Sequence, residues 1–418
     1  MNQAPENAGP LERAYREDAG KILAGLIRLC GDFDLAEDAL QDAFVRATET
    51  WPARGVPDNP AAWLSTAARN KLIDRLRRAA RYTANQSLEE TAAAPPDHAL
   101  EALMAAHSIE DDRLRLIFTC CHPALNPEAQ IALTLRTLGG LTTTEIASAF
   151  LVPEPTLAQR IVRAKNKIRL ARIPYEVPQP QDLPGRLNTV LHVLYLIFNE
   201  GYLSSNGDTL LRTDLCEEAT RLARVLWALM PQEAEAGGLL ALLLLQHSRR
   251  AARTDSKGEL ITQEAQDRSM LDAKMIAQGH FVLENALLQR APGPFQIQAA
   301  IAALHAEAAT PEATDWRQIA RLYQELEGWQ PTRIVAMNRA VAVAMAWGIP
   351  RGLAMLDHLN RDGSMENVGL FHAARADLFR RLEHWQDAAT AYHRALELTT
   401  NVPARRYLEA RLASLPRN

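Results

Sequence analysis

At 418 residues the chain is too long for one ordinary domain, and about 150 residues per domain suggests two or three. A net charge of −4 excludes polyanion binding over the whole surface, and four cysteines exclude a disulfide framework. The polar N-terminus lacks a signal-peptide pattern, and the apolar run at 237–245 is far shorter than the roughly 20 residues that span a bilayer. We therefore expect a soluble, cytoplasmic protein without a membrane partner. Abundant Ala and Leu, with no run of alternating Val, Ile and Thr, predict an all-α fold.

Two amphipathic helices are predicted at the start of the chain, from Leu11 to Cys30 and from Asp34 onward. The exposed side of the second helix is acidic. It comprises Asp34, Glu37, Asp38, Gln41 and Asp42. Such a face is either solvated surface or a contact for a basic partner protein. Trp51-Pro52 is expected to end this helix, because proline removes a backbone donor.

A loop containing Pro and Gly, from 52 to 60, precedes a basic helix predicted from Ala61 to about Arg81. Six basic residues and one acidic residue lie between Arg69 and Arg81. Trp63 is favoured as a core aromatic, although a loop beside a cationic helix is also suited to hold unstacked bases. Residues 82–107 are poor in large apolar groups, which predicts a flexible linker.

The stretch 141–172 has the pattern of a helix-turn-helix. Threonines at 142–144 and Glu145 suit the start of a short helix, which Pro153 and Pro155 stop. A second helix is predicted from Thr156, and its buried stripe is Leu157, Ile161, Ala164 and Ile168. Six basic residues and no acidic one lie between positions 160 and 172. This favours a helix in the major groove, with Arg and Lys on the phosphates, over a hairpin whose basic face is only solvated.

These parts, in this order, resemble the extracytoplasmic-function (ECF) sigma factors of bacterial RNA polymerase, which keep only regions 2 and 4. The resemblance is carried by DLAEDALQDAFVRATETW at 34–51, by NPAAWLSTAARNKLIDRLRR at 59–78 and by the helix-turn-helix. It implies region 2 at 11–81, which binds core polymerase and the −10 element, the linker at 82–107, and region 4 at 108–173, which binds the −35 element. The function implied is an alternative sigma factor that directs promoter-specific transcription initiation.

The resemblance also implies which residues bind each partner. The acidic residues Asp34, Glu37, Asp38, Gln41 and Asp42 would dock on the clamp helices of the large polymerase subunit. The −10 contacts would come from Asn59, Trp63, Arg69, Lys71, Arg75 and Arg78. The −35 contacts would come from Thr156, Gln159, Arg160, Arg163 and Lys167. The family often has Gly-Thr-Val where this chain has Pro155-Thr156-Leu157, so Pro155 removes a backbone donor that could have contacted phosphate.

A proline-punctuated linker at 174–185 leads to a helical extension at 186–418, which is unusual for a minimal sigma factor. From about 316 onward, helix pairs beginning near 316, 350 and 384 recur every 34 residues and predict a tetratricopeptide (TPR)-like solenoid. The whole chain then resembles the ECF group with a C-terminal TPR-like extension. We expect the extension to regulate the sigma regions and to carry a protein partner on its concave face.

Other motifs carry weaker signals. Cys120-Cys121-His122 looks like a metal cluster, but adjacent cysteines on a helix diverge by about 100° and a fourth ligand at zinc spacing is absent, so burial is expected instead. Asn199 to Tyr202 is predicted to end a helix, with Gly201 in the left-handed conformation, and 253–270 is predicted to be an exposed loop. No cofactor, metal or enzymatic activity is expected.

Two alternatives remain open. The first is a helix-turn-helix transcriptional regulator with a helical ligand- or protein-binding tail, which gives the acidic helix no role. The second is a scaffold in which the TPR-like tail is the main activity.

Overall fold

The computed structural model describes residues 10–86, 109–150, 152–203, 211–255 and 258–416. Within these ranges the chain forms eighteen α-helices, so the all-α prediction is confirmed. None of the described helices is both long and apolar enough to cross a membrane. The chain divides into two compact units, 1–193 and 194–418.

Within its described residues, the first unit contains seven complete helices and the start of an eighth. They are α1 (Pro10–Cys30), α2 (Phe33–Arg54), α3 (Pro60–Gln86), α4 (Ile109–Cys120), α5 (Pro127–Thr137), α6 (Thr143–Ala149), α7 (Glu154–Leu170) and α8 (Leu183–Tyr202). Helices α1, α2 and α3 pack on one another, and α5, α6 and α7 do the same. Helix α1 also packs on α4 and α5, so the predicted regions 2 and 4 share one compact unit.

Helix α2 is longer than predicted, since it continues through Pro52 to Arg54. The expectation that Trp51-Pro52 ends it was therefore wrong. Pro52 lies in the last turn, and the helix is closed instead by Gly55, whose φ of 83° suits glycine and whose N–H donates to the carbonyl of Trp51 at 2.9 Å. The loop between α2 and α3 is consequently short, from Gly55 to Asn59.

Helix α3 also runs further than predicted, to Gln86, so the first residues of the expected linker are helical. The rest of the predicted linker, 87–107, lies outside the described residues.

The helix-turn-helix has the expected local structure. The N–H of Glu145 donates to the Thr142 hydroxyl at 3.1 Å, and the N–H of Thr142 donates to the Glu145 carboxylate at 2.7 Å, which is a capping box at the start of α6. In α7 the predicted stripe of Leu157, Ile161, Ala164 and Ile168 is buried, as predicted. The helix begins at Glu154 rather than Thr156, because Pro155 fits the first turn, where its missing N–H has no intrahelical partner to lose.

The described part of the second unit continues from α8 through ten further helices. They are α9 (Thr213–Leu229), α10 (Ala234–His247), α11 (Ala273–Leu288), α12 (Pro294–Glu307), α13 (Trp316–Trp329), α14 (Arg333–Trp347), α15 (Ile349–Leu359), α16 (Gly369–Arg381), α17 (Trp385–Leu398) and α18 (Val402–Ala413). Helix α10 holds the apolar run at 239–245, which is buried on all sides, and it packs on α9, α11 and α12. A helix that is apolar all round is expected to be central in this way.

Two local predictions in this unit were wrong. Gly201 is not in the left-handed conformation but within the last turn of α8, where a Cβ would lie 2.8 Å from the carbonyl oxygen of Arg212 and from the N of Cys216. Glycine is needed at position 201 because backbone atoms of Arg212 and Cys216 approach it closely, not because of its φ angle. The described part of 253–270 is not simply exposed, because Arg253 and Gln266 in it are buried.

From α13 onward, the helices occur at the positions predicted for the repeats, with odd-numbered helices starting at Trp316, Ile349 and Trp385. Each helix packs on the next one in the chain, around small clusters such as the one formed by Leu356, Phe371 and Leu378. This arrangement is compatible with a repeat array, and the assignment to a TPR-like solenoid stays a prediction.

Candidate nucleic-acid interface

Helix α7 presents a polar face opposite its buried stripe. Thr156, Gln159, Arg163 and Lys167 are all exposed, at a spacing of three or four residues that places them on one side of the helix. The Arg163 guanidinium lies 3.4 Å from the Gln159 side-chain oxygen. Arg160 is different, because its guanidinium forms an ion pair with Glu128 of α5 at 2.7 Å. Four of the five predicted −35 residues are thus exposed on one side of α7, and the fifth helps to fix α7 on α5.

The acidic residues of α2 do not form a uniform exposed face. Asp34 follows the N-cap Asp32, whose carboxylate accepts the N–H groups of Asp34 and Leu35 at 2.8 and 3.0 Å. The side chain of Asp34 is 73% exposed, whereas that of Glu37 is only 18% exposed. Gln41 is exposed.

The partner of Asp34 and Glu37 is Lys165 of α7. The ammonium lies 3.0 Å from Asp34 Oδ1 and 2.8 Å from Glu37 Oε2, and the lysine side chain is only 11% exposed. Burial disfavours the charged lysine, but Glu37 and then Asp34 outweigh it, so the pKa of Lys165 is raised above its ordinary value. Helices α7 and α2 are therefore in direct contact through charged groups.

Asp38 and Asp42 hold a residue predicted to touch DNA. The Arg75 guanidinium of α3 lies 2.6 Å from Asp38 Oδ2 and 3.0 Å from Asp42 Oδ2. Hydrogen bonding to Asp42, and then to Asp38, raises the pKa of Arg75. The side chains are 33–55% exposed, so water screens these pairs and each contributes at most about 1 kcal/mol.

The loop between α2 and α3 is fixed at both ends. Asn59 caps α3, since its side-chain oxygen accepts the N–H of Ala62 at 3.0 Å. Trp63 is half-buried, and its ring meets the buried ring of Trp51 edge-on, with centroids 5.7 Å apart. The structure thus places Trp63 in a packed aromatic pair directly beside this loop. Among the other predicted −10 residues, Arg69 and Lys71 are half-buried and Arg78 is exposed.

The Cys120 and Cys121 thiols lie in the core, as predicted. Cys120 Sγ is 3.1 Å from the Thr137 hydroxyl, and Cys121 Sγ is 3.5 Å from the Thr134 hydroxyl. Burial raises the pKa of Cys121 to about 12 and raises that of Cys120 as well. Both are protonated packing residues, and the described residues contain no group of His, Cys, Asp and Glu that could hold a metal ion.

Comparison with known proteins assigns the two halves of the first unit. Residues 14–82 match sigma-70 region 2, and residues 115–168 match sigma-70 region 4. The ECF RNA polymerase sigma factor SigL of Mycobacterium tuberculosis is 29% identical over 168 residues, which cover 40% of this chain and 91% of SigL. The chain belongs to the ECF-type sigma factors. It is an alternative sigma factor that directs transcription initiation, and it binds RNA polymerase core and promoter DNA.

The relatives also delimit the extension of this sigma factor. The probable ECF sigma factor SigI of M. tuberculosis is 26% identical over 198 residues, 44% of this chain and 67% of SigI. An uncharacterized protein of Rhizobium meliloti (strain 1021) is 44% identical over 412 residues, 98% of this chain and 96% of that protein. Residues 186–287 match a family of unknown function, DUF6596. No solved structure matches the chain significantly.

The contacts of Lys165 and Arg75 were not anticipated from the sequence. Both residues lie on basic helices, among residues of the same charge that face solvent. The only sequence signal is the position of Lys165, four residues after the buried Ile161, which places it at the edge of the buried stripe.

Proposed function

We propose that this sigma factor uses three surfaces of its first unit in initiation. The acidic residues of α2 dock on the clamp helices of the large polymerase subunit. The loop 55–59 and the basic face of α3 hold the melted −10 element, and the exposed face of α7 reads the −35 element. The observation that carries the proposal is the polar face of α7, opposite a fully buried stripe in a helix-turn-helix.

The chemistry of that face suits base recognition. Arg pairs bidentately with guanine in the major groove and Gln with adenine, each worth about 1–3 kcal/mol of discrimination. Arg163 and Gln159 are one turn apart and exposed, and Thr156 precedes them in the first turn, where a recognition helix meets base edges. Arg160 contributes less, because its ion pair with Glu128 must break before it can reach DNA.

We expect Arg163→Ala to weaken promoter binding by roughly 5- to 150-fold, since about 1–3 kcal/mol is lost. Purified variant and bacterial core polymerase are titrated onto the region upstream of this protein's own gene at two salt concentrations. Arg46→Ala is the matched control, because Arg46 is an exposed arginine of α2 outside the proposed DNA surface. Equal affinities for Arg163→Ala and the control would contradict the assignment of α7.

The −10 surface is proposed from the loop and its neighbours. Trp63 lies beside the loop and Asn59 belongs to it, so aromatic and polar groups are available for an unstacked base. Arg78 is exposed further along α3, where it can reach phosphates. Arg75 remains available only if DNA phosphate replaces Asp38 and Asp42 as its partner.

The extension 186–418 is proposed to regulate the sigma regions, with a protein partner on the helices from α13 onward. Its support is a full-length relative that shares it, whereas SigL and SigI match less than half of this chain. The test compares promoter-specific transcription by core polymerase with the full chain and with a chain truncated after residue 182. Equal transcription by the two would contradict a regulatory role. A cytoplasmic location belongs to the same proposal, because that is where the polymerase works.

A further inference from the structure

Within the described part of the chain, Lys165 is the one residue of the basic run on α7 that pairs with the acidic helix, and its side chain is only 11% exposed. Asp34 and Glu37 are two of the residues proposed to dock on the polymerase. The recognition helix therefore lies on part of the surface that the core needs. Within Glu37, Oε1 is buried without a hydrogen-bond partner, so only Oε2 is satisfied in this arrangement.

The contact of α7 with α2 belongs to a larger interface between regions 2 and 4. Arg28 of α1 pairs with Asp112 of α4 at 2.9 Å, and Asp112 is 6% exposed. The Tyr175 hydroxyl lies 2.9 Å from the carbonyl of Ala24 and 3.1 Å from that of Asp112, and its burial raises its pKa, so it stays a donor. The two regions are thus held together at more than one point.

The pairing of Lys165 with Glu37 limits how far apart the loop at 55 and the start of α7 can lie. From Glu37 to the loop at 55 is about 27 Å of helix, and from Lys165 to Thr156 is about 14 Å. With the two side chains added, the loop and the start of α7 are at most about 55 Å apart. The −10 and −35 elements lie about 25 base pairs apart, which is about 85 Å of duplex. This conformation cannot hold both elements of straight promoter DNA.

We propose that regions 2 and 4 form a closed, self-inhibited state in which Lys165 occupies Asp34 and Glu37 in place of RNA polymerase. Core binding then competes with α7, and displacing Lys165 both frees the acidic surface and releases region 4 to reach the −35 element. Gln159 and Arg163 stay exposed in the closed state. Closure therefore covers the polymerase-binding residues of α2 but not the side chains of α7 that read bases. This inference rests on the proposed function of α2, and closure itself can be measured without polymerase.

The test reverses the charge of Lys165 in the full chain. Spin labels are placed at Val45→Cys on α2 and Val162→Cys on α7, both more than half exposed, in a Cys30→Ser background that removes the half-buried native thiol. We expect one short distance in the parent chain and a longer, broader distribution in Lys165→Glu, which faces two carboxylates. Arg172→Glu makes the same charge change at an exposed position near the end of α7 and should keep the short distance. The double variant Lys165→Glu, Glu37→Lys should restore the short distance.

Core affinity is measured with the same proteins, without labels. Lys165→Glu should bind core polymerase at least about tenfold more tightly than the parent, which corresponds to about 1.4 kcal/mol, and Arg172→Glu should match the parent. An already open parent, or a Lys165→Glu variant with unchanged distance, would overturn the closed state. Opening without tighter core binding would overturn the inhibition. If in addition Glu37→Lys left core affinity unchanged, the fault would lie in the proposed role of α2.

Discussion

Asp112 offers a sharp test of how regions 2 and 4 are joined. Its carboxylate is 6% exposed and lies 2.9 Å from Arg28 and 2.8 Å from Arg115, whose side chains are 15% and 18% exposed. Removing one partner of such a buried cluster costs about 3–5 kcal/mol, because the remaining charges lose their compensation. The Asp112→Asn variant keeps the shape of the side chain and one acceptor oxygen. We therefore expect a loss of stability at the lower end of this range, about 3 kcal/mol.

Hydrogen exchange measured by mass spectrometry reports the loss of stability peptide by peptide. A local measurement is needed because the chain has two compact units, which are not expected to unfold in a single step. A loss of about 3 kcal/mol corresponds to roughly 150-fold faster exchange in peptides covering 21–30 of α1 and 109–120 of α4. Peptides from α10 should be unaffected, because they belong to the second unit.

The matched control is Asp38→Asn, which removes the same charge from an ion pair whose carboxylate is 55% exposed. It should change exchange by less than about fivefold, since exposed pairs contribute at most about 1 kcal/mol. If Asp112→Asn accelerated exchange no more than Asp38→Asn, the argument that burial makes the Asp112 cluster decisive would be wrong.

Two further predictions concern the second unit. Gly201→Ala should destabilise this unit by about 1–3 kcal/mol, since the added Cβ would lie 2.8 Å from backbone atoms of Arg212 and Cys216. Thermal unfolding followed by circular dichroism should show a lower midpoint, and an unchanged midpoint would refute the close approach. Burial, followed by the nearby arginines, lowers the pKa values of His247 and His305 to about 4, so their neutral forms are favoured when folded. Stability should be fully present above the unfolded pKa of about 6.5 and should fall between pH 6.5 and 4, by on the order of 3 kcal/mol for His247. His247→Gln should flatten that fall in melts at pH 7, 5.5 and 4.5, and an equally steep fall would contradict the assignment.

The periodic features of this chain were predictable from its sequence. The stripe of Leu157, Ile161, Ala164 and Ile168 follows from spacing alone, and so do the positions of the repeated helices after 316. Local punctuation was less reliable. Pro52 predicts a helix end that Gly55 supplies instead, and the glycine at 201 predicts a left-handed helix terminus where the structure has a close backbone approach.

The state of the binding residues could not be predicted. Lys165 and Glu37 are 128 positions apart, and Arg75 and Asp42 are 33 apart, so their pairing depends on how separate helices pack. Charge patterning identifies which residues are suited to bind DNA or a partner protein. It does not show which of those charges already neutralise one another inside the same unit.

The short loop between α2 and α3 has a consequence for the entropy of binding. Gly55 closes one helix and Asn59 opens the next, so the loop beside the Trp51–Trp63 pair has only five residues and is anchored at both ends. Ordering a free backbone costs about 1–2 kcal/mol per residue, and here most of that loss has already occurred on folding. When a nucleotide enters this loop, the conformational entropy lost is mainly that of the nucleotide, so even a few weak contacts can give a useful affinity.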